Sequence, residues 1–185
     1  GDETVRNITN IPLKPSASEI KFPNRTSFSA IKLEAIERMN DKDLSKLCSK
    51  FYSDIQLFGQ QACSSPLALY FVGPLNKKKN IDRFWTCFKD ASNNHNLSSS
   101  EVMDRFVASS NMAISGKIKN SESKFDYKNV LVLNGELSSN SSFRDEHSGN
   151  GLLIQYQVNH INDLINYLES KDQTLSIFGF SQEEV

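Results

Sequence analysis

Apolar positions recur at helical spacing in several stretches of this chain. Leu44, Leu47, Cys48 and Phe51 stand at i, i+3, i+4 and i+7, and Ile55 continues the stripe. Ile81, Phe84, Trp85 and Phe88 show the same clustering, and Ile161, Leu164, Ile165 and Leu168 repeat it. This is the template of an amphipathic helix. Asp41, Asn80 and Asn159 stand ahead of these stripes, where their side chains can cap the first free N–H groups. Ser29 can cap a further helix with Ile31, Ala35 and Met39 on one face. Ser98 and Glu101 form an S-x-x-E capping box that opens a short helix carrying Val102, Met103, Phe106 and Val107.

The remaining apolar runs read as strands. LALYFV (67–72), closed by Gly73-Pro74, and NVLVL (129–133) are continuous, as in strands buried on both faces. MAISGKI (112–118) and GLLIQYQV (151–158) alternate. The second turns Ile154, Tyr156 and Val158 one way, and Gln155 and Gln157 the other. TLSIFGF (174–180) supplies the last strand. Segment 152–180 reads as a βαβ unit, which implies parallel pairing. The expected fold is therefore α/β: a three-layer sandwich with a mixed, largely parallel sheet and a helical N-terminal part. NVLVL is expected at its centre. An α+β fold of the NTF2-like kind is the alternative.

Residues 1–28 show neither period, and Pro12, Pro15 and Pro23 interrupt them. They read as an extended arm that Ile11, Leu13, Ile20, Phe22 and Phe28 can anchor, ahead of one globular domain over 29–185. Gly1 in place of Met reads as a scar on a fragment of a longer chain.

Composition narrows the function. Twelve Phe and five Tyr in 185 residues supply a core, whereas a net charge of −1 argues against a nucleic-acid module. Lys77, Lys78 and Lys79 form the one lysine run, within GPLNKKKN (73–80). That segment joins a strand to a helix N-terminus, a place where an anion can bind. It reads as a charged turn, with weak phosphate or nucleic-acid contact as a lesser reading. No apolar run approaches the roughly 18 residues of a membrane span, and no signal peptide opens the chain. Cys48, Cys63 and Cys87 form no C-x-x-C pair, which fits a reducing compartment. Sequons at Asn7, Asn24, Asn96 and Asn140 point the other way, but arise readily in a Ser- and Asn-rich chain. An intracellular protein, cytoplasmic or nuclear, is expected.

Candidate chemistry concentrates in NGELSSNSSFRDEHSGN (134–150). This loop leaves the carboxyl end of NVLVL, and ligands of open α/β sheets gather beyond carboxyl ends. Arg144 can clamp a carboxylate or phosphate, with Asp145 and Glu146 beside it. His147 can move a proton near neutrality. The rest of the chain offers little. It has no glycine-rich phosphate motif and no G-x-S-x-G, and Cys63 in QQACSSP stands in no recognisable nucleophile setting. Cys63 is still expected to be the most exposed thiol. His95, His147 and His160 lack ligand spacing, so neither metal nor cofactor is expected.

VLVLNGE (130–136) resembles the strand and turn of von Willebrand A-type domains, where an apolar strand runs into Asp-Gly-Glu. That family's first strand ends in D-x-S-x-S, which supplies metal ligands. Here LALYFV runs into Gly73-Pro74-Leu75-Asn76, and Asn134 stands at the Asp position. The resemblance implies at most a metal-free relative.

With no catalytic constellation visible, the expectation is a non-enzymatic scaffold or adaptor domain that binds another protein within a larger assembly. The competing expectation is a small α/β enzyme using the 134–150 loop, with His147 as base and Arg144 as anion clamp.

Overall fold

The computed structural model describes residues 2–21, 24–94, 96–127, 129–135, 137 and 143–184, and their side chains except at 2, 94 and 119–127. Phe22, Pro23, His95, Glu136 and Asn140 lie outside the described residues, so the expectations attached to them are not followed further.

The chain opens with α1 (Asp2–Thr9), a helix inside the segment read as extended. Of the expected anchors, Ile11, Leu13 and Ile20 are exposed, whereas Phe28 is buried in the core. Strand β1 (Thr26–Lys32) follows and turns directly into α2 (Leu33–Arg38). Ser29 therefore lies within a strand and caps no helix. Its polar neighbours disguised the strand, yet each finds a partner. Ser29 Oγ meets Ser176 Oγ at 2.6 Å, and Ser27 Oγ donates to the Cys63 carbonyl at 2.5 Å. Next come α3 (Asp41–Gln56), β2 (Pro66–Val72) and α4 (Lys78–Ala91). The α3 cap is Asn40, one residue before the expected Asp41, accepting from the Asp43 N–H.

Helix α5 (Ser99–Ile114) has the expected capping box but extends into the stretch read as the strand 112–118, of which only Ile118 is in a strand. Ala108 and Met112, one turn apart, face the sheet, and Gly116 ends the segment in a left-handed conformation (φ 70°). Val102, Met103, Phe106 and Val107 lie on the outer face, 42–63% exposed. The chain continues through β3 (Ile118–Tyr127), β4 (Val130–Gly135) and β5 (Leu152–Val158). A 3₁₀ segment (Ile161–Tyr167) then replaces the expected α-helix, and β6 (Asp172–Phe178) follows.

Among the described residues these strands form one sheet in the order β3-β4-β5-β2-β1-β6. All neighbours pair in parallel except β3 with β4. This is the expected mixed, largely parallel α/β sheet. Two placements differ from expectation. NVLVL becomes β4, second from an edge, because β3 pairs outside it. β5 and β6 run parallel but stand apart, with β2 and β1 between them.

Two apolar layers cover the sheet. Helices α2, α3 and α4 pack on one face, where Phe51, Phe71, Phe84, Trp85 and Phe88 interlock with ring centroids 5.1–6.1 Å apart. Such aromatic pairs add about 0.5–1.5 kcal/mol each beyond their burial. Gln155 points into this layer and accepts the Trp85 indole N–H at 2.5 Å, so the polar side of β5 is satisfied under a helix. Helix α5, Phe143 and the 3₁₀ residue Leu164 cover the other face.

Candidate active site

The first strand-to-strand crossover places Cys63 at the amino edge of the sheet, just before β2. Helix α3 ends at Gln56, and Phe58, Gly59 and Gln60 then all adopt left-handed φ values of 54°, 59° and 64°. L-residues pay roughly 1–2 kcal/mol each for that conformation, so something must hold Phe58 and Gln60 there. Gln60 supplies the hold. Its buried amide donates to the carbonyls of Pro66 (2.7 Å) and Leu152 (2.8 Å) and accepts from the Gly151 N–H (3.0 Å). A second turn, closed by the Ser65 N–H on the Ala62 carbonyl, presents Cys63. Of the three free cysteines, Cys63 is exposed, Cys87 half-buried and Cys48 buried.

The end of the 134–150 loop packs against this turn. The Asn150 N–H donates to the Gly59 carbonyl (2.9 Å), and the Gln61 amide donates to the Ser148 carbonyl (2.7 Å). Gly151 has φ 75°, and a Cβ there would stand 1.9 Å from the Asn129 carbonyl oxygen, so only glycine fits. The loop leaves the carboxyl end of β4 but returns to the amino end of β5. The cluster 144–147 therefore lies on the opposite edge from the one expected, beside the Cys63 turn.

Each member of that cluster has a defined place. Arg144 is bound within the chain. It donates to Asp172 through Nε (2.8 Å) and Nη2 (2.6 Å), to Glu169 (2.7 Å) and to the Tyr167 carbonyl (2.9 Å), over the Phe28 ring. Burial works to raise the Asp172 carboxyl. Hydrogen bonds from Arg144, Thr26 and the Glu169 N–H overcome it and hold Asp172 below the usual carboxylate range. Asp145 pairs at the surface with Lys171 (2.8 Å). Glu146 accepts from Lys117 (2.5 Å) and Ser115 (3.2 Å). His147 is half-buried with its Nε2 out of reach of solvent, and its Nδ1 accepts the Gly149 N–H at 3.0 Å. Its Nε2 faces the backbone of Leu67 and Leu152 without hydrogen-bond geometry to either. Burial pushes its pKa down to about 4, so the ring is neutral at physiological pH.

A groove of about 510 Å³ runs between α5 and this loop, lined by Gln61, Glu101, Asp104, Asn111, Glu146 and Ser148 among others. Gln61 belongs both to the groove and to the turn that carries Cys63. At the carboxyl edge a second cleft, of about 520 Å³, lies between Lys32, Gly73, His160 and Phe180. Lys77, the first of the lysine run, pairs there with Glu37 (2.7 and 2.9 Å), while Lys78 and Lys79 are exposed at the start of α4.

A largely parallel α/β sheet is the architecture that comparison with solved structures returns. Aldehyde dehydrogenases share the fold. The aldehyde dehydrogenase KauB from Pseudomonas aeruginosa superposes with a TM-score of 0.57 at 10% identity, over 88% of this chain and 35% of that one. Indole-3-acetaldehyde dehydrogenase AldA from P. syringae, a cysteine-to-alanine mutant in complex with NAD+ and IAA, gives 0.54 at 10% identity over 88% and 35%. An arginine-to-alanine mutant of Thermus thermophilus 1-pyrroline-5-carboxylate dehydrogenase gives 0.57 at 11% identity over 88% and 33%. The chain thus spans about a third of the length of these structures. No curated protein matches it. The family described as acyl-CoA reductase (LuxC) matches residues 1–95, more than half of the chain, from α1 through β1, the Cys63 turn and β2 to the end of α4. The chain belongs to the acyl-CoA reductase (LuxC) family.

This overturns the expectation of a non-enzymatic scaffold or adaptor. The family is one of acyl-CoA reductases, and the neighbours sharing the fold are aldehyde-processing enzymes. QQACSSP shows no nucleophile setting along the chain because the setting of Cys63 is not contiguous. Ser27, Gln60 and the segment 148–151 meet there from three separate parts of the chain. The signal that was available was QQACSSP itself, an unpaired cysteine flanked by amides and small residues in an irregular stretch between a helix and a buried strand. Among the described residues no helix is long and apolar enough to cross a membrane.

Proposed function

We propose that this domain carries the nucleophile of an acyl-CoA reductase, and that the nucleophile is Cys63. The observation that supports this reading most is the turn Phe58–Gln60, whose backbone strain is held by a buried glutamine beside an exposed thiol. Strain of this kind persists only where the surroundings enforce it, and it concentrates at functional sites. A thiolate is the natural attacking group for a thioester.

In this reading the Cys63 sulfur attacks the acyl carbonyl of acyl-CoA. The bond to the coenzyme A sulfur breaks, coenzyme A leaves as its thiolate and takes up a proton, and the acyl group remains on Cys63 as a thioester. Ser27 and Gln60 fix the turn from opposite sides and so keep the thiol in place for attack. Reduction of that thioester to the aldehyde needs a hydride and a proton and returns Cys63 as a thiol. A nicotinamide dinucleotide, the group bound in related structures, supplies that hydride when bound.

The groove beside Gln61 suits the hydroxyl-bearing part of such a cofactor. Its carboxylates would accept hydrogen bonds from hydroxyl groups, as acidic residues do toward a ribose, and would repel a bare phosphate. Glu146, oriented by Lys117 and Ser115, and Asp104 on α5 would hold it. His147, with its Nε2 shielded from solvent, is neutral and too weakly basic for the general-base role; it supports the loop beneath the turn.

The test is intact-mass spectrometry after incubation with acyl-CoA thioesters of increasing chain length. The expected result is a gain of one acyl group, removed by neutral hydroxylamine and absent from Cys63→Ala. An adduct of equal yield in Cys63→Ala removes Cys63 from the reaction.

A further inference from the structure

Cys48 and Cys87 are not part of the candidate active site, yet the fold brings them together. Cys48 lies on α3 and Cys87 on α4, two helices packed against each other on one face of the sheet. Cys87 packs against the apolar cluster to which Cys48 belongs. Cys48 also points at α4 through a weak contact of its Sγ with the Phe84 carbonyl oxygen, at 3.7 Å, one helical turn before Cys87. Their access to solvent differs: Cys48 is 0% exposed, whereas Cys87 is half-buried at the margin of the same apolar cluster.

We propose that Cys48 and Cys87 form a peroxide-reactive dithiol that closes to an intramolecular disulfide and staples α3 to α4, independently of Cys63. A hydroperoxide reaches the half-exposed Cys87 first. The Cys87 sulfur takes one peroxide oxygen to become a sulfenic acid, and the other oxygen leaves as alcohol or water. The Cys48 sulfur then attacks the Cys87 sulfur, the sulfenic oxygen leaves as water with the Cys48 proton, and the S–S bond forms. Two thiols lose two electrons and the hydroperoxide gains them.

The division of labour follows from the surroundings. Burial, and then the neighbouring Cys87 thiol, pushes the Cys48 thiol up, so Cys48 remains protonated and does not meet oxidant by itself. Its role is to resolve what forms on Cys87. The cross-link would span residues 48 to 87 and enclose β2 and the Cys63 turn, fixing the helix that leads into that turn.

Trypsin separates the three cysteines, with Cys48 in 47–50, Cys63 in 51–77 and Cys87 in 84–89. The reduced protein is treated with hydrogen peroxide, quenched with catalase, alkylated and digested without reductant. The expected product is peptide 47–50 joined to 84–89, two hydrogens lighter than their sum and released by dithiothreitol. Its yield should not change on tenfold dilution of the protein. The idea is overturned if Cys48 stays fully alkylatable while Cys87 proceeds to sulfinic acid, if the linked peptides contain 51–77, or if the yield falls with dilution.

Discussion

Arg144 and His147 stand three residues apart beside the second apolar layer, yet they behave oppositely. Arg144 keeps its charge because Asp172 and Glu169 surround it, and its side chain and that of Asp172 are only 5% and 8% exposed. Removing one partner leaves a buried charge without compensation, which costs about 3–5 kcal/mol. Arg144→Ala should lower the urea-unfolding free energy by that amount, and a loss below ~1 kcal/mol would mean the cluster is not buried in solution. His147 has no such partner and stays neutral. Its folded pKa, about 4, lies below the ordinary value of 6.5, so the unfolded chain binds the proton more readily. Its contribution to stability is therefore complete above 6.5 and lost as pH falls from 6.5 through 4. Asp172, also depressed, contributes above its unfolded value near 4 and loses that contribution as pH falls through its still lower folded value. Wild type should thus weaken in two stages on acidification, measured by urea unfolding from pH 7 to pH 3. His147→Gln should lack the first stage, and an unchanged profile would contradict the neutral ring.

At the scale of elements, α5 shows how a periodic stripe can be read correctly and placed wrongly. Val102, Met103, Phe106 and Val107 have helical spacing, but the face that meets the sheet carries Arg105, Ala108 and Met112. Met112→Ala should cost about 2–5 kcal/mol, the usual loss for a buried Met. Phe106→Ser, at a position 63% exposed, should stay within about 0.5 kcal/mol. Chemical denaturation of both decides whether the helix is oriented as described, and a reversed order would turn it over. The stripes of α3 and α4 were legible because their buried faces are also their most apolar ones. LALYFV and NVLVL were legible as strands because both faces are covered. β1 was not, since Ser27 and Ser29 are buried through hydrogen bonds to Cys63 and Ser176, partners distant in sequence. Strand order was hidden for the same reason: no local pattern says that β2 and β1 stand between β5 and β6.

For the whole molecule, the sheet's two edges divide the candidate chemistry. The loop 134–150 was legible as a place to look, but it crosses from one edge to the other. Its charged end supports the amino edge, and there the turn of Cys63 rests on Gln60, Ser27 and residues 148–151. The sequence supplied the thiol without its setting, because that setting exists only once β1, β2 and β5 are side by side. The most direct test of Cys63 as the acyl acceptor needs no nicotinamide. Acyl-CoA and isotopically labelled coenzyme A are incubated with the protein, and label entering the acyl-CoA pool is measured. Exchange by wild type that falls at least a hundredfold in Cys63→Ala is the predicted result. Equal exchange in both proteins, or none in wild type, would contradict the account.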